Sequence, residues 1–343
     1  MDSKQAFRSI KQGVISPIYV CYGTESYIMN EFIERLLEQL VQPEHREMAI
    51  VRFDTGETPI DNIIEEAETL PFLVPSKIIL VRDNVLFAAG KDSAKVEHRP
   101  ESLLAYMGHP SETTVLVFMV SNEKLDERKK LVKTAKSNDS VISFSPLQSE
   151  ELLQWLLKRA SNQDRKMGIP AAEEVLRRVG TDMQALAAET DKLCLHAGKG
   201  GSVTLESVQS LVPMATEQNV FKLTEELAAL RTAEAITLYY DLLKQREEPI
   251  KLMALLVRQF RNMLYVKELG SQGYSPQQMA SQLGLHPYAV KITGEQARKF
   301  SQERLATLLS DLADLDFAMK TGQVEKTLGL ELFLLKTGSR GAG

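Results

Sequence analysis

Residues 17–36, PIYVCYGTESYIMNEFIERL, follow the order found where nucleotide-binding proteins hold phosphates: an apolar strand, a glycine turn and a helix. A phosphate-binding loop of the form G-x-x-x-x-G-K-[ST] needs a second glycine, a lysine for the outer phosphates and a hydroxyl for magnesium. Here Gly23 is followed by TESYIMNE, and no lysine occurs between Lys11 and Lys77. The sequence therefore predicts the scaffold of a phosphate site without its chemistry.

The acidic pair that holds the metal in a nucleotide site is also missing. The apolar run KIILVRDN ends in Arg82, Asp83 and Asn84. A single aspartate at that place is more often a turn residue than a metal ligand. A degenerate P-loop-type NTPase, in which an arginine such as Arg82 replaces the lysine, stays open as an alternative, and saturable nucleotide binding would be its mark.

Other catalytic patterns are absent from the sequence. The five histidines are scattered, and neither H-E-x-x-H nor G-x-S-x-G occurs. The pairs Glu65-Glu66 and Glu225-Glu226 lie on amphipathic helical patterns and are interpreted as solvated. Cys21 and Cys194 are far apart and are interpreted as reduced core thiols. We expect no catalytic residue, no metal site, no ATP site and no cofactor in this chain.

Residues 1–145 alternate between strand-like and helix-like segments. Strands are predicted at Ile18–Tyr22, Ala49–Phe53, Lys77–Val81, Thr114–Val120 and Val141–Phe144. Helices are predicted at Tyr27–Val41, Ile60–Leu70, Pro100–Tyr106 and Lys124–Ala135. Parallel strands need such crossovers, so this part is predicted as an α/β domain with a parallel sheet of about five strands.

The rest of the chain is predicted to be all-α. Residues 146–212 form a small helical domain, residues 213–338 form a larger one, and residues 339–343 form a frayed tail.

Composition narrows the class of partner and the compartment. The net charge of -5 over 343 residues argues against a protein that coats nucleic acid with its whole surface. The longest apolar run, in TTVLVFMV, is far short of the ~20 residues of a membrane span, and the N-terminus lacks a signal-peptide core. We expect a cytoplasmic protein with no membrane partner.

The segment TLPFLVPS, residues 69–76, crowds apolar side chains around two prolines. The prolines keep it from joining a strand ladder easily, so the side chains are presented on a stiff turn. Two interpretations remain open: the side chains pack under the sheet, or they form an apolar plug for a partner's pocket.

Two segments have features of nucleic-acid binding. A helix over NEKLDERKKLVKTAK would place Lys129, Lys133 and Lys136 on one face, either as a solvated face or as a contact for DNA phosphates. Residues 275–299 read as a helix-turn-helix, which leaves a DNA-binding protein as a further alternative. Only Lys291 at the start of its second helix suits base reading.

Five segments stand in the order seen in one known family. They are PIYVCYGTESYIMNEFIERL, AETLPFLVPSKIILVRD, LLVRQFRNMLYVKEL, GYSPQQMASQLGLHPYAVKI and LADLDFAMKTG. Through them the chain resembles the delta subunit of bacterial DNA polymerase III, a part of the clamp loader, over nearly its full length. The resemblance implies an AAA+-like core over residues 1–145, a helical lid over 146–212 and a helical collar over 213–338.

The resemblance also implies a function without intrinsic catalysis, within a DNA polymerase holoenzyme that is a nucleotidyltransferase. A delta subunit joins ATPase subunits and a delta-prime subunit in a hetero-pentamer through its collar. It neither binds nor hydrolyses ATP; it grips the sliding clamp, the beta subunit, and holds the ring open for loading onto primer–template DNA. Carried onto this sequence, the gripping residues are Leu70, Pro71, Phe72 and Leu73. The family's Met-x-Leu-Phe turn corresponds to residues 69–72, which makes Phe72 the firmest match.

Overall fold

The protein is described by a computed structural model that covers residues 1–83, 85–88 and 96–339, of which Ser339 is described by its backbone alone. The chain forms two compact units, Met1–Pro146 and a second that begins at Leu147. The further division near residue 212 stays a prediction. In the tail, residues 340–343 lie outside the described residues, as does Asn84.

The first unit is built on one parallel sheet. Its strands are β1 (Ile18–Tyr22), β2 (Ile50–Asp54), β3 (Lys77–Arg82), β4 (Thr114–Val120) and β5 (Val141–Ser143). They are hydrogen-bonded in parallel in the order β2-β3-β4-β1-β5. The predicted five-stranded α/β fold is confirmed.

Helices cover both faces of this sheet. They are α1 (Ser3–Lys11), α2 (Ser26–Leu40), α3 (Arg46–Ala49), α4 (Ile60–Glu68), α5 (Pro100–Gly108) and α6 (Lys130–Ser137), with a 3-10 turn at Pro43–His45. Successive strand residues point to opposite faces, so Tyr19 packs on Phe32 of α2 at a ring-centroid distance of 5.4 Å. Ile18 and Val20 join the core on the other face. The sheet is therefore doubly wound, as its apolar strands predict.

Two predictions about helices in this unit need correction. Helix α1 was not predicted; it begins with a capping box in which the Asp2 side chain accepts from the backbone N–H of Gln5 at 2.7 Å. The helix predicted over Lys124–Ala135 begins only at Lys130, because Asp126 and Arg128 close a turn before it.

The second unit is helical. Its helices are α7 (Ser149–Asn162), α8 (Ile169–Val179), α9 (Met183–Ala197), α10 (Leu205–Leu211), α11 (Thr216–Ala228), α12 (Thr232–Lys244), α13 (Pro249–Ser271), α14 (Pro276–Leu283), α15 (Pro287–Ala297), α16 (Gln302–Lys320) and α17 (Lys326–Ser339). A short parallel strand pair was not predicted: β6 (Lys166–Met167), which follows α7, pairs with β7 (Ser202–Val203), which follows α9. Within residues 1–83, 85–88 and 96–339, no helix is long and apolar enough to cross a bilayer.

Both cysteines are buried free thiols, as predicted. Cys21 lies in β1, and burial raises the pKa of its thiol. Cys194 lies in α9, where burial again raises the thiol pKa. A thiol whose pKa is raised is a poor nucleophile at neutral pH, so neither cysteine is a candidate for catalysis.

Candidate functional site

The conformation of the glycine turn after β1 is set by backbone contacts with neighbouring segments. Gly23 has a φ of 131°, and a Cβ there would lie 2.1 Å from the carbonyl oxygen of Phe144. The backbone N–H of Gly23 donates to Val120 O at 3.1 Å, and that of Glu25 donates to Phe144 O at 3.0 Å. In a phosphate-binding loop such N–H groups point at the ligand. Here the glycine permits a close approach of two chain segments, and these two amides already have carbonyl partners.

Asp83, the nearest counterpart of a metal-holding acid, is a buried turn residue. Its Oδ1 accepts from Thr55 Oγ1 at 3.0 Å and from the backbone N–H groups of Val85 at 3.0 Å and Leu86 at 2.7 Å. Its Oδ2 accepts from the N–H of Phe87 at 2.7 Å. These four hydrogen bonds hold the carboxylate inside the turn that follows β3. The interpretation of Asp83 as a turn residue is confirmed.

Other titratable groups do not assemble a site either. In the part of the chain that the structure describes, no three His, Cys, Asp or Glu side chains come together as a metal site would require. Two glutamates predicted as solvated are engaged instead. Glu66 pairs with Lys77 at 2.7 Å, and Glu226, which is 9% exposed, pairs with Arg231. The prediction of a solvated surface was wrong for Glu226, whereas the ion-paired Glu66 side chain keeps 36% exposure to solvent.

The turn that follows α4 carries the most unusual surface of the first unit. Leu70 is 82% exposed, Phe72 is 78% exposed and Leu73 is 70% exposed, whereas Val74 is buried against Val41 and Ala49. Of the two interpretations left open by the sequence, packing under the sheet holds for Val74 alone. Large apolar side chains exposed side by side are a mark of an interaction site.

Leu73 also has an unusual backbone conformation. Its φ is 60°, in the left-handed region that costs an L-residue with a Cβ roughly 1–2 kcal/mol. Glycine or asparagine would adopt this conformation at lower cost. We define the Leu70–Leu73 turn as Leu70, Pro71, Phe72 and Leu73.

The three lysines predicted on one helical face have different surroundings. Lys129 precedes α6, and its Nζ donates to the carbonyl oxygens of Val85 and Ala88. Lys136 donates to the carboxylate of Glu127 at 2.6 Å. Lys133 is exposed on α6. The three ammonium groups therefore do not form the single cationic face that the sequence predicts.

The predicted helix-turn-helix is formed by α14 and α15, joined at Gly284 in the left-handed conformation with φ 63°. Met279 and Val290, one from each helix, are buried with Val266 and Leu269 of α13. The motif is thus part of a helical packing arrangement, and its geometry alone does not indicate DNA reading.

Comparison with known proteins gives consistent matches. The family model "DNA polymerase III, delta subunit" matches residues 19–145, and the model for the C-terminal domain of the same subunit matches residues 217–337. DNA polymerase III subunit delta of Bacillus subtilis (strain 168) is 37% identical over 330 residues, 96% of this chain and 95% of that protein. The solved Bacillus subtilis DNA clamp loader delta protein (YqeN) superposes with a TM-score of 0.85 and 36% identity, covering 98% of this chain and 99% of that one.

The doubly wound α/β unit followed by a helical unit matches a solved clamp-loader subunit over nearly the whole chain, so the fold defines a clamp-loader subunit. Within that class, the chain belongs to the delta subunit family of DNA polymerase III.

Proposed function

We propose that this chain binds a ring-shaped sliding clamp, the beta subunit, through the Leu70–Leu73 turn and holds the ring open for loading onto primer–template DNA. The observation that carries the proposal is the exposure of Leu70, Phe72 and Leu73 on one short turn. The partners in this proposal are ATPase clamp-loader subunits and a delta-prime subunit, assembled with this chain in a hetero-pentamer.

The energetics of such a turn favour a pocket on the partner. Anchors of this kind contribute roughly 2–4 kcal/mol each at interface hot spots when they fill a desolvated pocket. The turn adds no charge at its centre, so no ion has to lose its water on binding. A few anchors are therefore enough for tight binding without a large interface.

Ring opening requires differential binding. The turn favours an open clamp only to the extent that it binds the open form better than the closed one. ATP on the partner subunits would then expose or hide the turn by moving domains. The engaged amides of Gly23 and Glu25 and the burial of Asp83 within a turn support assigning hydrolysis to the partners.

The test is surface-plasmon-resonance binding of the purified full chain to a bacterial sliding clamp, with and without Mg-ATP. The wild type is expected to bind equally with and without nucleotide, and the Leu70→Ala/Phe72→Ala double variant is expected to lose at least about 100-fold in affinity. The matched control is Leu195→Ala/Phe317→Ala, which removes the same side-chain types at 77% and 63% exposure in the second unit. It should bind as the wild type does.

Three results would contradict the proposal. One is a well-folded wild type that does not bind the clamp. Another is an equal loss in the control variant. The third is loss of the thermal unfolding transition in the Leu70→Ala/Phe72→Ala variant, which would make these side chains part of the core. Saturable nucleotide binding by the isolated chain would favour the degenerate NTPase instead.

A further inference from the structure

We propose that Lys77 is a positioning residue that holds the Leu70–Leu73 turn in its clamp-binding conformation. The proposal rests on the function proposed above. The Lys77 side chain is 4% exposed. Its Nζ donates to the Glu66 carboxylate at 2.7 Å, to Thr69 Oγ1 at 2.6 Å and to the main-chain carbonyl of Glu66. An ammonium group has three N–H donors, and each has an acceptor here.

These bonds join the two ends of the turn. Glu66 and Thr69 lie where the chain leaves α4, and Lys77 is the first residue of β3, where the chain re-enters the sheet. The backbone N–H of Lys77 is itself fixed by Thr113 O at 2.9 Å. The ammonium therefore ties the helix end to the strand start, and the turn is the loop between them.

Further hydrogen bonds attach the end of α4, where the turn begins, to its surroundings. The Thr114 hydroxyl at the start of β4 donates to Ala67 O at 2.8 Å, and Thr69 Oγ1 donates to Glu66 O at 2.8 Å. Carbonyl oxygens at a helix C-terminus otherwise need water or a cap. Here side chains from two strands supply the donors, so the last turn of α4 is attached to the sheet.

The other side of the turn is held by Val74, which is buried with Val41 and Ala49. The bonds from Lys77 hold the chain before Leu70, and Val74 holds the chain after Leu73, so the turn is attached at both ends. A loop fixed in its bound form loses less conformational freedom on binding, which improves affinity without any new contact to the partner.

The buried ammonium group of Lys77 is better suited to positioning the turn than to stabilising the fold. A buried ammonium loses its hydration, and an apolar residue of similar volume often stabilises a protein as well or better. An apolar residue, however, cannot form the directional hydrogen bonds that fix the end of α4 relative to the start of β3. Lys77 is thus suited to setting the geometry of the turn.

Lys77→Met tests the proposal, because methionine keeps an unbranched side chain and removes the ammonium. In the full chain we expect the dissociation constant for the clamp to rise about ten-fold or more, since the affinity scales with the fraction of molecules whose turn is in the binding form. Hydrogen exchange at the amides of residues 69–77 should become faster, while exchange in β1 and β4 stays slow.

A cavity variant separates positioning from general destabilisation. Val132→Ala truncates a fully buried side chain on α6. It is expected to lower the melting temperature without changing the dissociation constant for the clamp or the exchange rates of residues 69–77. Thr69→Ser keeps the hydroxyl and should bind as the wild type does, whereas Thr69→Val removes the acceptor for Lys77 and should weaken binding.

The outcomes distinguish this proposal from the function on which it rests. If wild type binds the clamp and both Lys77→Met and Thr69→Val bind equally well, Lys77 has no positioning role. An affinity loss in Val132→Ala as large as in Lys77→Met would likewise overturn the proposal. If wild type itself does not bind, the proposed function fails, whatever hydrogen exchange shows for the turn.

Discussion

The Cβ position of Gly23 lies 2.1 Å from the carbonyl oxygen of Phe144, so the end of β1 and the residue after β5 leave no space for a side chain between them. The glycine that makes this segment look like a phosphate loop is thus required by the packing of two strand ends. Substitution of Gly23 tests whether this packing requires a glycine.

Gly23→Ala is expected to lower the free energy of unfolding by more than about 3 kcal/mol, because the added methyl group meets backbone that cannot move cheaply. Gly13→Ala is the matched control: Gly13 also has a positive φ, 76°, but nothing lies within 4 Å of its Cβ position. It should cost only about 1 kcal/mol, the price of the backbone conformation. Urea unfolding of both variants measures the difference, and equal losses would refute the steric explanation.

Leu73→Asn is expected to separate stability from binding. Asparagine tolerates the left-handed backbone, so the free energy of unfolding should stay the same or rise by up to about 1 kcal/mol. Clamp affinity should fall, because the apolar anchor is lost. Leu73→Ala removes the anchor but keeps the backbone cost, so it should lose affinity without any gain in stability. Full clamp affinity in Leu73→Asn would show that this side chain is not an anchor.

Stability should depend on pH through Asp126. The Arg128 side chain, followed by the backbone N–H of Arg128, lowers the pKa of Asp126 to about 2. Because the unfolded value is about 3.9, this pair stabilises the fold above about pH 4, and the contribution disappears as the pH falls toward 2. Arg128 is 88% exposed, so solvent screens the pair and the effect is small.

In urea unfolding between pH 5 and pH 2, the Arg128→Ala variant should therefore show a shallower loss of stability than wild type. The two curves should converge at the acid end, where Asp126 is protonated in both proteins. Parallel curves across this range would contradict the assignment to the Asp126–Arg128 pair.

Lys133→Ala is expected to weaken binding of the assembled clamp loader to primer–template DNA and to reduce the slope of log affinity against log salt by about 1, if Lys133 meets one phosphate. Lys136→Ala should have a smaller effect, because Lys136 is already paired with Glu127 at 2.6 Å. An unchanged salt slope in Lys133→Ala would remove this residue from the DNA contact.

Strands buried on both faces were the most predictable elements. The bounds of β1 and β4 agree with the sequence prediction to the residue, since a continuous apolar run with turn signals at each end leaves few alternatives. Helix α1 was missed because its apolar side is short, with Ala6 and Ile10 as its buried residues. Its clearest signal is the capping box at Asp2, which is easy to overlook in a polar N-terminal segment.

Local sequence patterns did not predict which side chains of the Leu70–Leu73 turn and its neighbours are exposed. Leucine, phenylalanine and valine around two prolines fit a buried turn as well as an exposed one, and the packing of Val74 with the left-handed backbone of Leu73 decides between them. The contacts of Lys77 were not predicted from the sequence. A lysine at the start of an apolar run resembles a surface residue, and its bonds to Glu66 and Thr69 arise only when α4 packs beside β3.

The order of strands in the sheet determines when each strand can pair during protein synthesis. β1 is the first strand to be synthesised, yet its neighbours are β4 and β5: Ile18 pairs with Leu116, and Val20 pairs with Val141. These partners are synthesised about 100 and about 120 residues later, and contacts so distant in sequence form slowly. A nascent chain that stops before Val141 leaves one edge of the buried strand β1 unpaired, and an unpaired strand edge is prone to aggregation at this stage of synthesis.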